Sequence, residues 1–216
     1  MIGDLGIMTL IAGKKNPSMN NPKSNMSGFS KERATTSNKD ELTEKRRIDE
    51  KVKYFDLQVL MPEYGSSNHG ADASEYVANK KPNLVVDFGC GQNNFINNLK
   101  KLGINGIGID FVYEEADIIA SMHEVPLENN SADFITAFDS LEHLIPEDVD
   151  LVLNEMARIA KPKADFCFSI SYQPSSILVH GQNLHPTTQS DYWWRQKISS
   201  IGQVKEMGEY RIGNFK

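Results

Sequence analysis

One segment constrains the fold of this sequence more than any other. Leu84-Val85-Val86 is an apolar run that ends at Asp87, two glycines follow in Gly89-Cys90-Gly91, and Phe95, Leu99 and Leu102 then share one helical face before Gly103. A short run without polar residues reads as a strand buried on both faces, and the spacing after it reads as an amphipathic helix stopped by glycine. Strand, glycine turn and helix together make half of a parallel crossover. The pattern recurs: Ile107 to Phe111, Asp133 to Phe138 and Phe166 to Ile170 supply further strands. A helix opening at Pro146 carries Val149, Leu153, Met156 and Ile159 inward and closes before Lys161-Pro162. Such alternation implies parallel pairing, right-handed crossovers and a sheet covered on both faces. Beyond Ser190 the pattern predicts one more helix through Trp194 and Ile198, then a terminal hairpin near Gly208.

The N-terminal part reads differently. From Lys14 to Lys39 the chain is dominated by Asn, Ser, Lys, Pro and Gly, too few apolar groups to offset the entropy of ordering, so residues 1–39 are expected to form a disordered arm. Order should begin near Asp40. Ile48, Val52, Phe55 and Val59 recur at spacings of a helical face, which predicts an amphipathic helix packed through them and ended by Pro62. Asp72 and Glu75 have the spacing of a reciprocal cap for a second helix, Asp72 to Asn79. With 216 residues the chain has enough sequence for one domain with a sizeable core, and its net charge of −6 gives no basic footprint for nucleic acid. The apolar stretch Leu5 to Gly13 is too short to span a bilayer, and Asp4 stands where an export signal carries positive charge. Two cysteines, Cys90 and Cys167, have no metal-ligand spacing, which suits a reducing compartment and makes the cytoplasm the expected address. No metal site is expected.

The glycine turn alone is a weak signal, because tight turns need glycine for purely structural reasons. Asp110 adds to it. This second acid ends the next strand, about 20 residues after the turn, where a carboxylate can accept hydrogen bonds from ribose hydroxyls. Turn and carboxylate together indicate an adenosine-containing cofactor, and a side chain at Gly89 or Gly91 would occupy ligand space. A nicotinamide-dependent oxidoreductase is a rival on this sheet type, but its fingerprint wants a glycine where Asn94 stands, with a pyrophosphate on the helix N-terminus.

Four blocks, VVDFGCG at 85 to 91, GIGIDF at 106 to 111, ASMHEVPLENNSADFITAFDSLEHL at 120 to 144 and LNEMARIAKP at 153 to 162, occur in an order and spacing that resemble the class I S-adenosylmethionine-dependent methyltransferases, in particular their compact small-molecule branch. The resemblance implies an α/β fold: a doubly wound, mostly parallel Rossmann-like sheet of about seven strands with a C-terminal antiparallel hairpin. It divides residues 40–216 into N-terminal helices and a lid loop (40–80), a cofactor-binding core (81–171) and an acceptor-side loop, helix and hairpin (172–216). It implies that Asp87, Gly89, Cys90 and Gly91 meet the methionine portion of S-adenosyl-L-methionine, that Asp110 holds the ribose, and that Phe111 borders the adenine. Ser121 and Met122 would line its far edge, while Phe138 and Asp139 would face the sulfonium and acceptor. Two departures stand out: Asn93 replaces a third glycine, and Phe111 to Ala116 is too short for a full helix before a third strand at Asp117 to Ser121. The alternative is one helix from Val112 to His123, with that strand absent.

Methyl transfer from a sulfonium needs alignment, exclusion of water and sometimes removal of a proton. His143 is the first candidate base and Asp139 its neighbour, with a capping or orienting histidine as the plainer reading. Tyr64 and His69, in the polar loop Tyr64 to Gly70, are candidate lid residues, with Tyr64 over the cofactor. His185 and the aromatic run Tyr192-Trp193-Trp194 could border an acceptor, although Trp194 reads better as core beside Ile198. No Asn/Asp-Pro-Pro-aromatic segment or nucleophilic Pro-Cys follows the fourth strand, and Cys90 and Cys167 read as small apolar residues. The expected activity is methyl transfer to a small-molecule or glycan-like acceptor; a non-catalytic interaction protein that keeps only the fold is the competing class.

Overall fold

Apolar strand runs and the crossovers between them assemble one seven-stranded sheet in a computed structural model, which describes the backbone of residues 29–216 and the side chains of residues 38–216. In chain order the elements are α1 (Phe29–Leu60), α2 (Ser74–Asn79), β1 (Val85–Phe88), α3 (Asn94–Lys101), β2 (Gly106–Asp110), β3 (Ile118–Ile119), β4 (Ala132–Phe138), α4 (Val149–Ile159), β5 (Ala160–Ser169), β6 (Leu178–Val179), β7 (Gln182–Asn183), α5 (Asp191–Ile201), β8 (Gly202–Met207) and β9 (Tyr210–Phe215). The sheet order is β3-β2-β1-β4-β5-β9-β8. Strands β3 through β5 in that order pair in parallel, whereas β9 and β8 close the edge as an antiparallel hairpin turning at Gly208, whose φ is 61°. Strands β6 and β7 form a separate small hairpin. The expected fold class is therefore the observed one.

Alternation of side chains along buried strands explains why both faces are apolar. Val86 and Ile135 join Leu153, Met156, Phe166 and Trp194 on one face, while Val85 and Phe134 join Val77, Phe95, Ile96 and Leu99 on the other. Each such fully buried side chain contributes about 1.5–3 kcal/mol relative to exposure. The expected inward positions of α4 (Val149, Leu153, Met156, Ile159) and of α5 (Trp194, Ile198) are all buried. Ser190 caps α5 by accepting a hydrogen bond from the Trp193 amide at 3.2 Å.

Several local expectations need correction. Ile48, Val52, Phe55 and Val59 do share a face of α1, but that face is exposed, with Val59 80% accessible. The helix docks instead through Lys53, Tyr54 and Leu57, which are buried. Its docking face carries charges with distant partners: Arg47 donates to both carboxylate oxygens of Asp148, and Lys53 Nζ donates to the Asn183 carbonyl at 2.9 Å. Hydrophobic periodicity scores such residues as outward. The helix also begins at Phe29, ahead of Asp40; Lys31, Glu32, Arg33 and Ala34 are residue types that propagate a helix well even where they cannot build a core. The expectation for residues 1–28 lies outside the described residues.

Asp72 and Glu75 form no cap, because the chain enters α2 through a 3-10 turn at Ala71–Ala73 and Asp72 sits inside that turn. Pro146 precedes α4 by a turn, so the helix opens at Val149. Pro162 lies within β5, where the register with β4 shifts between Ala132 and Phe134, a place where a strand tolerates proline. The third strand exists as the pair Ile118–Ile119 beside Ile109 and Asp110, which rules out the single helix over 112–123.

Candidate active site

Parallel strands leave their ligand crevice at their C-terminal ends, and here the ends of β1, β2 and β4 open into a cavity of about 560 Å3. Asp87, Gly89, Cys90, Gly91, Asp110, Phe111, Met122, Phe138, Asp139, His143 and Tyr64 all line it. Ser121 does not: it is exposed and its hydroxyl contacts His123 Nδ1 at 2.8 Å. Of the aromatic run 192–194, none lines the cavity; Trp194 is core, Trp193 packs edge-on against it, and Tyr192 is exposed. His69 and His185 do line it, from loops far apart in sequence.

The turn after β1 needs its glycines for reasons beyond ligand space. Gly89 and Gly91 have φ of 77° and 52°, which side chains rarely adopt. A Cβ on Gly89 would also meet Ser140 Cβ at 2.5 Å, and one on Gly91 would meet the Gly65 carbonyl at 2.6 Å. The space that each glycine leaves is thus taken by protein as well as bordering the cavity. Asn93 adopts the left-handed conformation expected of a third glycine, at φ 62°, and starts α3. Its amide donates to the Glu115 carbonyl and to Asp117, so it clamps the turn to the loop before β3.

Asp110 completes the acidic side. Its Oδ2 accepts from the Gly91 amide at 3.1 Å and its Oδ1 from the Val112 amide at 3.0 Å. Oδ1 also accepts from the Tyr113 amide at 3.4 Å, while Oδ2 keeps a lone pair for a further donor, so the carboxylate that orders the glycine turn can also receive a ribose hydroxyl. Burial raises its pKa, against the pull of the amides of Val112, Gly91 and Tyr113. Asp87 accepts from Thr136 Oγ1 at 2.7 Å, and burial, aided by the charge of Asp110, carries its pKa up to about 6. The Cys90 thiol is raised by burial and by the same acids, so it is no nucleophile.

A loop covers the turn. Tyr113 Oη donates to the Tyr64 carbonyl at 2.6 Å, the Gln92 amide donates to the Gly65 carbonyl at 3.0 Å, and Asn94 Nδ2 donates to the Ser66 carbonyl at 2.6 Å. Gly70 lies so close to Phe138 and Phe95 that a Cβ would meet their rings at 2.4 and 2.7 Å. Residues 64–70 are therefore fastened to both the turn and the end of β4.

The other end of the cavity is polar. Asp139, with φ 46°, accepts from Ser169 Oγ at 2.9 Å and holds His69 Nδ1 at 2.9 Å. His143 Nδ1 lies 2.7 Å from the Leu184 carbonyl and also beside the Tyr54 hydroxyl. Burial, then the neighbouring His185, holds the His143 pKa down to about 3, too weak a base to take a proton from an acceptor near neutral pH. This favours the plainer reading of His143 as an orienting histidine. Glu142, wholly buried behind it, is carried up to about 8 by burial, against the Ser171 amide that its Oε1 accepts at 2.9 Å. Sequence reasoning missed Tyr54 and Tyr113 altogether, since nothing local distinguishes them from core tyrosines.

The comparisons with known proteins agree with this geometry. A family model described as a methyltransferase domain matches residues 68–203. The fold is shared by a Burkholderia thailandensis 1,6-didemethyltoxoflavin-N1-methyltransferase, solved with bound 1,6-didemethyltoxoflavin and S-adenosylhomocysteine, at 12% identity and TM-score 0.59 over 77% of this chain and 87% of that one. It is also shared by a Pyrococcus horikoshii protein (15% identity, TM-score 0.58, 74% and 99% coverage) and by an Archaeoglobus fulgidus SAM-dependent methyltransferase (19%, 0.53, 68% and 75%). The search of curated proteins returns no match. Sheet order, glycine turn, the acid ending β2 and the family match lead to one conclusion: the chain belongs to the methyltransferase-domain family and is a class I S-adenosylmethionine-dependent methyltransferase.

Proposed function

We propose that the chain methylates a small-molecule or glycan-like acceptor held at the polar end of the cavity, with the cofactor at the glycine turn. The observation that carries this reading is that Asp110 and the Asp139–His69 pair line the same cavity. Bound S-adenosylmethionine supplies a methyl group already activated on a sulfonium. Asp110 holds a ribose hydroxyl, Phe111 borders the adenine, Met122 covers its far edge, and the backbone from Asp87 to Gly91 admits the methionine portion. Tyr64 and its loop exclude water from above.

His69 is the base in this scheme. Its Nδ1–H donates to Asp139, leaving Nε2 as the basic nitrogen, an arrangement that fixes the tautomer and steadies the imidazolium that forms. The acceptor gives its proton to Nε2 while its oxygen or nitrogen bonds to the methyl carbon. In-line transfer would break the carbon–sulfur bond, leaving its electron pair on sulfur. Among the described residues no helix is long and apolar enough to cross a membrane. Both cysteines are free, which suits the cytoplasm as the place of action.

The test is incubation of the purified protein with methyl-labelled cofactor and fractionated small metabolites or free glycans. Label passing to one acceptor fraction, and lost with His69→Ala, supports the reading. Label that never leaves the cofactor while the cofactor binds would overturn the catalytic reading in favour of a binding protein.

A further inference from the structure

Three side chains at the polar end make a constellation that methyl transfer does not require. The 3-10 turn Leu141–His143 after β4 presents Glu142 and His143, and the segment after β7 brings His185 against them. One ligand atom from each lies within 4.8 Å of the other two, and all three residues line the cavity.

Each of the three side chains keeps an atom that can ligate a metal. Glu142 is wholly buried, its Oε1 accepts from the Ser171 amide, and its Oε2 has no partner. A buried carboxylate oxygen without a donor is unfavourable unless something else binds it. Both imidazoles are oriented by backbone carbonyls: His143 Nδ1 by Leu184 at 2.7 Å and His185 Nδ1 by Gln173 at 2.6 Å. A ring nitrogen facing a carbonyl carries the hydrogen, so each Nε2 carries the lone pair. This is the outer support that metal-bound histidines use. The Tyr64 hydroxyl lies 3.4 Å from His143 Nε2, too far for a good hydrogen bond.

We propose that Glu142, His143 and His185 bind a divalent transition-metal cation such as Zn2+, Co2+ or Mn2+, whose open positions face the cavity. Two imidazoles and one carboxylate suit these ions better than Mg2+ or Ca2+, which favour oxygen. Three protein ligands with positions left open are the pattern of a reactive site, not of a structural one. Resting on the methyl-transfer reading, the ion's role is to hold an acceptor oxygen: it would stabilise the negative charge that builds on that oxygen as its proton passes to His69 and it bonds to the methyl carbon.

The test uses untagged full-length protein stripped with chelator and titrated with Co2+, read by its visible absorption, with S-adenosylhomocysteine binding measured on the same samples. The expected result is one Co2+ per chain, with affinity falling at least about tenfold in His185→Ala and in the isosteric Glu142→Gln while S-adenosylhomocysteine binding is retained. Absence of stoichiometric uptake, or uptake unchanged in both variants, overturns the proposal. Methylation that persists undiminished after chelation also overturns the proposed role while leaving methyl transfer itself intact.

Discussion

The two ends of the cavity are built in opposite ways. The proposed cofactor end comes from one stretch of about 40 residues, in which β1, the glycine turn, α3, β2 and Met122 follow each other and Asp110 reaches back to the Gly91 amide. The polar end, where we place the acceptor, is assembled from Tyr54 on α1, Tyr64 and His69 on the covering loop, Asp139, Glu142 and His143 after β4, and His185 after β7. A short-range site is held by its own backbone hydrogen bonds. A long-range one depends on how remote segments dock, so its chemistry can change while the first end stays fixed.

This contrast yields graded expectations. Gly91→Ala should have the largest effect, because a Cβ would meet the Gly65 carbonyl at 2.6 Å in a left-handed backbone. Backbone strain alone costs about 1–3 kcal/mol. Calorimetry should find S-adenosylhomocysteine binding lost and the melting temperature lowered; binding at wild-type affinity would show that the covering loop moves freely. His69→Ala should lower kcat about a hundredfold, within the range for a lost general base, with cofactor affinity unchanged. A parallel loss of cofactor affinity would show that the two ends are coupled.

The pH dependence is subtler. The folded pKa of Asp87 is raised to about 6 from 3.8, so its contribution to stability is full below about pH 4 and is lost as pH rises through 6. Asp87→Asn, which still accepts from Thr136, should flatten the decline of thermal stability across that window by at most about 1.4 kcal/mol per pH unit. Asp110 and Glu142 tilt stability in the same direction, so the slope shrinks without vanishing. An identical slope in the variant would mean that Asp87 ionises freely.

What the sequence disclosed follows the same division. The β1 turn, Asp110, the buried faces of α4 and α5, and the hairpin at Gly208 were readable because period, glycine and strand length act within a few residues. The docking face of α1 was not, since Lys53 and Arg47 become inward residues only once the Asn183 carbonyl and Asp148 stand beside them. His143 was named as a base from its ordinary basicity, with an orienting role as the plainer reading, and burial beside His185 lowers that basicity and favours the plainer one. His69 was noticed as part of a loop, but its pairing with Asp139 spans the whole cofactor core. Glu142 and His185 carry no spacing signal at all, since more than 40 residues separate two groups that meet in space.

We propose that Asp110 and the bare turn beside it hold an adenosyl group. Isothermal titration of S-adenosylhomocysteine into wild-type protein and Asp110→Ala tests it directly. Loss of a charge-assisted hydrogen bond costs about 1.5–3 kcal/mol, so the account predicts saturable one-site binding to the wild type, weakened about tenfold or more in the variant. No binding by the wild type at millimolar ligand, or equal affinity in both proteins, would contradict it.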